Sequence, residues 1–221
     1  MTLPAHIRKV LPKDTADSWE ALAPVLPSGL YLAGGTALAV HLQHRVSRDL
    51  DFFYHAHAID LTELEELLAS TVPFAVTSRA AGTLNGLSSQ TKVQFLHCDE
   101  TEDQTLLEPP TEVAGVPVAG IPDIFAMKLK VIADRGELRD YFDLMVIEQQ
   151  TGLSVAEGIG FFLARYRRNP DNQVLMPVIS ALGYLDDVDE DDSLPVTKAA
   201  IDAYWRKRQP EVARHLQRFG V

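Results

Sequence analysis

Apolar positions follow two different rhythms along this chain. Up to about residue 120 the rhythm is mixed. Leu30–Ala33 is a short apolar run, and Leu50–Tyr54, Phe74–Arg79 and Thr91–Cys98 (TKVQFLHC) alternate as half-buried strands do. Thr36 to about His44 has helical spacing through Leu38, His41, Leu42 and Arg45. Asp60–Ser70 predicts a helix with an apolar stripe of Leu61, Leu64, Leu67 and Leu68, capped by Asp60 or Thr62. Residues 1–27 form a helical lead-in, with Ile7, Val10, Leu11, Trp19, Leu22 and Val25 as packing residues and Pro24 and Pro27 as its end. Ala81-Gly82 and Asn85-Gly86 read as turns, and Val113–Val118 as a short edge strand or turn. Beyond residue 120 only helical periods remain: Ile124–Ala133, Glu137–Gln149 after an interruption at Gly136, Val155–Tyr166, Asp171–Leu185, and a last helix pair within Pro195–Phe219. Residues 186–193 are an acidic, solvated loop. The expectation is an α+β chain. Residues 1–120 form a small mixed sheet with flanking helices, and residues 121–221 form an all-helical domain that completes the active-site cleft.

Composition narrows the function classes. A length of 221 residues with 46% hydrophobic and 23% charged positions is ample for a buried core. The formal net charge of −11 argues against general nucleic-acid binding, so any such contact requires a local basic patch. One cysteine, Cys98, excludes an intramolecular disulfide and a cysteine zinc site, and is expected as a small core residue. His55-Ala56-His57 is expected to flank a strand end rather than to ligate a metal. The N-terminus lacks the apolar core of a signal peptide, and no run approaches the ~20 apolar residues of a membrane span. A soluble cytoplasmic protein is expected.

Two constellations carry chemistry. In LAGGTALAVHLQHRVSRDLDFF an apolar run stops at Gly34-Gly35-Thr36, and the chain returns as a strand with Asp49 and Asp51 at i and i+2. Bare glycine amides at a helix start suit a phosphate. Two carboxylates on one strand face suit Mg²⁺ or Mn²⁺, because their mutual repulsion is relieved by a hard cation. In the second, AMKLKVIADRGELRDYFDL, Lys128 lies beside an apolar helical face, and Asp140 and Asp143 share a face at i, i+3. Fifteen residues separate Lys128 from Asp143, about 22 Å on a straight helix. A bend at Arg135-Gly136 would bring Asp143 back to orient Lys128, whose mobile point charge suits a triphosphate.

These two segments resemble the AbiEii/AbiGii toxin nucleotidyltransferases, which include the MenT toxins and belong to the polymerase-beta-like superfamily. The first follows the family's double glycine, helix, Arg-x-Ser-x-Asp-x-Asp run and aromatic; the second follows its Met-Lys-Leu, Arg, Arg/Lys-Asp and Asp-Leu pattern. The resemblance implies that Gly34, Gly35 and Thr36 hold the triphosphate, Asp49 and Asp51 bind Mg²⁺, Lys128 contacts phosphate and Asp143 supports it. Arg48 and Arg135 become phosphate-side candidates. The implied reaction moves a nucleoside monophosphate from a nucleoside triphosphate to an acceptor hydroxyl. In MenT relatives that acceptor is the 3′ end of tRNA, and a separate antitoxin inhibits the toxin. The basic groups Arg165, Arg167, Arg168 and Arg206, Lys207, Arg208 would suit such an acceptor, with Trp205 as a stacking surface. The superfamily often carries a third carboxylate on a later strand; here Gln94 stands at the expected position. That departure and the acidic net charge keep open a catalytically weak or inactive binding module; a second alternative is a transferase acting on a small molecule such as an antibiotic, which a cleft too narrow or too acidic for a polynucleotide would favour.

Overall fold

The structure, a computed structural model, describes residues 2–55, 58–98 and 106–217. The chain separates into two compact units, Met1–Gly120 and Ile121–Val221. The first comprises α1 (Ala5–Arg8), α2 (Lys13–Leu22), β1 (Tyr31–Ala33), α3 (Gly34–Leu42), β2 (Leu50–Tyr54), α4 (Leu61–Thr71), β3 (Phe74–Ala80), β4 (Thr83–Ser88), β5 (Thr91–His97), β6 (Thr111–Val113) and β7 (Val116–Val118). The strands form one mixed sheet in the order β3-β4-β5-β2-β1-β7-β6, parallel at β2–β5 and β1–β7 and antiparallel elsewhere.

Period-two patterning decides which sheet face is dry. Leu50, Phe52 and Tyr54 of β2 are buried, as are Val93 and Phe95 of β5 and Leu84 of β4, and the Phe52 and Phe95 rings stack at 5.4 Å. Each such aromatic or leucine contributes about 1.5–3 kcal/mol by leaving water. Trp19 of α2 and Leu64 and Leu68 of α4 are buried with them. The α4 stripe starts where expected: the Asp60 carboxylate accepts from the backbone amides of Thr62 (2.7 Å) and Glu63 (3.2 Å). Asp51, Gln94 and Asn85 are cross-strand partners on the opposite face.

Asn85-Gly86 is not a turn. It lies inside β4, and the Phe74 ring of β3 packs so closely over Gly86 that a Cβ there would stand 2.2 Å from Phe74 Cζ. The glycine is needed for close approach, a use of Gly in strands that turn statistics do not distinguish. The reversals fall at Ala81-Gly82, as expected, and at Ser89, where Gly82 (φ 71°) and Ser89 (φ 55°) are left-handed. Val113–Val118 is likewise two strands, joined by Ala114 and Gly115 at positive φ, and its second strand pairs with β1 inside the sheet.

The second unit comprises α5 (Ile121–Arg135), α6 (Leu138–Thr151), α7 (Val155–Arg165), α8 (Asn172–Leu182) and α9 (Lys198–Gln217). α5 packs on α6, α7 and α8. Phe125, Leu129, Leu144, Ile147, Leu175, Val178, Ile201 and Trp205 fill its core. The expected C-terminal helix pair is one helix with Pro210 inside it. Ile201, Trp205, Val212 and Leu216 continue one buried stripe through the proline, and that burial outweighs the ~3 kcal/mol a proline costs in a helix interior. Buried Glu148 ties three helices. Its carboxylate accepts from the Val155 amide (2.7 Å), the Tyr204 hydroxyl (2.7 Å) and the Arg208 guanidinium (3.0 and 3.1 Å). Burial, then the bond to Glu148, pushes the Tyr204 phenol up. Among the described residues, no helix is long and apolar enough to cross a membrane.

Candidate active site

In the first unit, β1 runs directly into α3 at the double glycine. Gly34 has φ +72°, a left-handed conformation that side chains disfavour, and a Cβ there would meet the Asp51 carboxylate oxygen Oδ2 at 3.0 Å. A Cβ on Gly35 would stand 2.5 Å from the Arg45 guanidinium and 3.5 Å from Ser47 Oγ. The two bare glycine faces are thus turned toward opposite charges, an acid at Gly34 and a base at Gly35. α3 begins with no side-chain cap and no acidic residue in its first turn, so nothing on the helix offsets the partial positive charge of its N-terminus.

The acid-bearing loop is held by backbone bonds from three directions. The Ser47 amide donates to the Val10 carbonyl (2.9 Å), and Thr15 Oγ1 donates to the Arg48 carbonyl (3.0 Å). The buried Thr36 hydroxyl donates to the Asp49 carbonyl and lies 2.7 Å from Ser47 Oγ. The N-terminal lead-in therefore does more than pack: α2 and the turn before it anchor the approach to Asp49. Asp49 stands one residue before β2 and Asp51 within it, both half-buried. Thr36, expected to hold phosphate, spends its hydroxyl on this loop. Arg48 is exposed and contributes its carbonyl.

Gln94 does share a face with Asp51: the two are direct parallel partners, and Gln94 is in turn the partner of Asn85. Gln94 Nε2 donates to Asn85 Oδ1 (2.6 Å), and Asn85 Nδ2 donates to Ser78 Oγ (2.9 Å). A neutral hydrogen-bonded row therefore runs from Gln94, beside Asp51, to the edge strand β3. The residues fit a divalent cation in donor chemistry, with two hard carboxylates and no side chain filling the space at Gly34. Among the described residues, no group of three or more His, Cys, Asp or Glu is placed to hold a metal.

In the second unit the chain reverses between α5 and α6 as the Arg135-Gly136 bend requires; the Tyr141 ring occupies the place a Gly136 side chain would need. Lys128 Nζ lies 2.7 Å from Asp143 Oδ2 and 2.6 Å from Asp140 Oδ1. All three side chains are at least nine-tenths buried, at 8%, 0% and 9% exposure. Asp140 also accepts from the Glu137 amide (3.2 Å) in a capping box that starts α6. One carboxylate thus starts the helix and holds the lysine. Burial first, and then the charges of Asp187 and Asp140, push the neighbouring Tyr141 phenol up to about 12. Arg135 is exposed and bonded to Glu137 (2.9 Å).

Three expectations about the acceptor side are corrected. Arg165 is not open to an acceptor: it is buried and ion-paired with fully buried Asp123. Trp205 is not a stacking surface: it is wholly buried, and its indole N–H donates to the Tyr141 carbonyl (3.1 Å). Arg206 bonds Asp202 (2.7 Å) and Asp186 (2.9 Å), and Arg208 bonds Glu148. A basic cluster on paper is largely a set of internal ion pairs, because each arginine reaches a carboxylate that is remote in sequence or one turn away. Arg167, Arg168 and Lys207 remain exposed. Of the His55/His57 pair, His57 lies outside the described residues; His55 follows β2, with Cys98 Sγ 3.2 Å from its Nδ1 and the Tyr31 ring stacked on it. Arg45 is a candidate that helical spacing concealed. α3 ends at Leu42 with Gln43 left-handed, which frees Arg45 to return over Gly35; its place in the Arg-x-Ser-x-Asp-x-Asp run was the signal for it.

Comparison with known proteins accords with this geometry. The family model for the nucleotidyl transferase AbiEii toxin of type IV toxin–antitoxin systems matches residues 20–95 and 87–219. An uncharacterized protein of Aquifex aeolicus (strain VF5) is 28% identical over 207 residues, covering 90% of this chain and 94% of its own. Two solved structures share the fold. MenT4, a nucleotidyltransferase toxin from Mycobacterium tuberculosis H37Rv, aligns with TM-score 0.53 at 17% identity over 96% of this chain and 90% of its own. JHP933 from Helicobacter pylori aligns with TM-score 0.53 at 15% identity over 99% and 97%. With the family model spanning both the glycine–aspartate strand segment and the lysine–aspartate helix pair, the chain belongs to the AbiEii nucleotidyltransferase toxin family.

Proposed function

We propose that the protein is a Mg²⁺-dependent nucleotidyltransferase toxin that moves a nucleoside monophosphate from a nucleoside triphosphate to the 3′-terminal hydroxyl of tRNA, and that a cognate antitoxin protein restrains it. The observation that carries this reading is the placement of the Asp51 carboxylate against the bare Cα of Gly34, at an uncapped helix start flanked by Arg45. An acid pair for a cation beside amides and a guanidinium for phosphate is what a metal–triphosphate complex requires. A bound Mg²⁺ would neutralise charge that develops on the α-phosphate. Asp49 and Asp51 would hold it. The amides of Gly34 and Gly35, with Arg45 in the place first given to Arg48, bind the phosphates. By the family resemblance Lys128 is a candidate phosphate-side charge, and within the helical unit Asp143 and Asp140 hold it in place. The acceptor oxygen bonds to the α-phosphorus, the bond to the bridging oxygen of the β-phosphate breaks, and pyrophosphate leaves. Arg167, Arg168 and Lys207 are exposed and are the acceptor-side candidates.

The test is transfer of label from α-labelled nucleoside triphosphates to bacterial tRNA in the presence of Mg²⁺. Asp49→Ala and Asp51→Ala are expected to remove it, and Asp51→Ala to relieve growth arrest on expression. A metal ligand supplies several kcal/mol of charge stabilisation, so the loss is on the order of a thousandfold. Labelling that survives Asp49→Ala overturns the assignment of the acid pair. Labelling of an aminoglycoside but not tRNA would move the reading to a small-molecule transferase.

A further inference from the structure

We propose that this protein takes its divalent cation only together with the nucleotide, as a metal–triphosphate complex, and that Gln94 is the residue that sets this order. The inference rests on the reading of Asp49 and Asp51 as the metal-binding pair. It concerns what the protein alone offers a cation. The Asp51 position has one lateral partner on its own sheet face toward the sheet's longer side, and that partner is Gln94. Neighbouring strands lie about 4.8 Å apart, close enough for a carboxylate at position 94 to share a cation with Asp51. A glutamine of the same length contributes no charge there.

Its amide is also not at liberty. Nε2 is bonded to Asn85 at 2.6 Å, and Asn85 is bonded to Ser78 at 2.9 Å, so three uncharged groups in register keep the side chain in the plane of the row. On the other side of Asp51 the register partner is Ala33, whose side chain offers no ligand. The negative charge available to a cation is therefore that of two carboxylates, and no third His, Cys, Asp or Glu joins them among the described residues. Affinity for hard cations is tuned chiefly by the number of charged oxygen ligands. Mg²⁺ in particular keeps several waters and is bound through one or two carboxylates plus substrate phosphates. Here the missing anionic oxygens are those of the triphosphate, drawn to the glycine turn one residue away. Arg45 adds to this: a guanidinium beside Gly35 repels a bare cation and attracts a metal complex that carries net negative charge.

The experiment measures Mn²⁺ binding by electron paramagnetic resonance and calorimetry, not turnover. The full chain is titrated with Mn²⁺ alone and with Mn²⁺ plus each of the α,β-methylene nucleoside triphosphates. The wild-type protein is expected to bind Mn²⁺ negligibly alone and in a protein-bound ternary complex with at least one analogue. Gln94→Glu is expected to bind Mn²⁺ without nucleotide, at least about tenfold more tightly than wild type, while Gln94→Ala gains nothing. Tight binding of Mn²⁺ alone by the wild type overturns the proposal, whatever the variants do. So does a well-folded Gln94→Glu protein, checked by its melting transition, that binds Mn²⁺ no better than wild type. Failure of wild type to take up Mn²⁺ even with the analogues overturns the metal-binding reading of Asp49 and Asp51 itself, and the inference with it.

Discussion

The two constellations hold their charges in opposite ways. Asp49 and Asp51 are half-buried, and the loop before them is fixed through backbone carbonyls and amides: Thr15 to Arg48, Thr36 to Asp49, Ser47 to Val10. Lys128, Asp140 and Asp143 are buried and hold one another, with Asp140 also starting α6. The same contrast extends through the helical unit, where Arg165 pairs with Asp123 and Arg208 with Glu148. A site supported by backbone bonds can lose a side chain and keep its shape. A site supported by buried ion pairs cannot, because removing one partner strands the other charge in a low dielectric.

Substitutions can break or sharpen this contrast. The largest effect is expected from Asp51→Asn, which should lower transfer on the order of a thousandfold while changing unfolding free energy by only about 1 kcal/mol; transfer assays and urea melts on one preparation test both halves. A loss of several kcal/mol in stability would show that the acids do hold the strand site. Lys128→Ala should differ in kind. It should cost about 3–5 kcal/mol of stability in addition to activity, since two buried carboxylates lose their cation. A fully stable Lys128→Ala protein would refute the buried-pair account. Arg165→Ala should cost a similar amount, about 3–5 kcal/mol, with tRNA affinity unchanged once folding is restored at low temperature; selective loss of tRNA binding would return Arg165 to the acceptor side. Gly86→Ala should cost about 1–3 kcal/mol by overpacking against Phe74, leaving metal and nucleotide binding intact.

The smallest effect is electrostatic and lies in a cap. Backbone bonds from Thr62 and Glu63 lower the Asp60 carboxyl below its ordinary 3.8. A carboxyl depressed in the folded state adds stability above its unfolded value and loses it as pH falls through the folded one. The melting difference between wild type and Asp60→Ala should therefore be present at neutral pH and vanish with acidification below that value.

Much of the fold was legible because it rests on local periodicity. β2 spans Leu50–Tyr54 as alternation predicts, α4 begins at its Asp60 cap, and the change from mixed to helical pattern falls where the two units divide. The misreadings share one cause. Asn85-Gly86 looks like a turn until Phe74 explains the glycine, and Pro210 looks like a helix break until the stripe running through it is buried. In both, a contact distant in sequence overrides a local preference.

By itself the sequence determined the chemistry's inventory: a double glycine, two aspartates at strand spacing, and a lysine with aspartates across a bend. It did so because strand and helix periods dictate which side chains share a face. Tertiary structure alone decided how each charge is spent. Arg165, Arg206 and Arg208 became partners of Asp123, Asp202 and Glu148; Trp205 became core; Arg45 left its helix for Gly35; and Gln94 was set beside Asp51 but tied to Asn85. A charge's role depends on its nearest opposite charge and on how much water reaches it, and neither can be read along the chain.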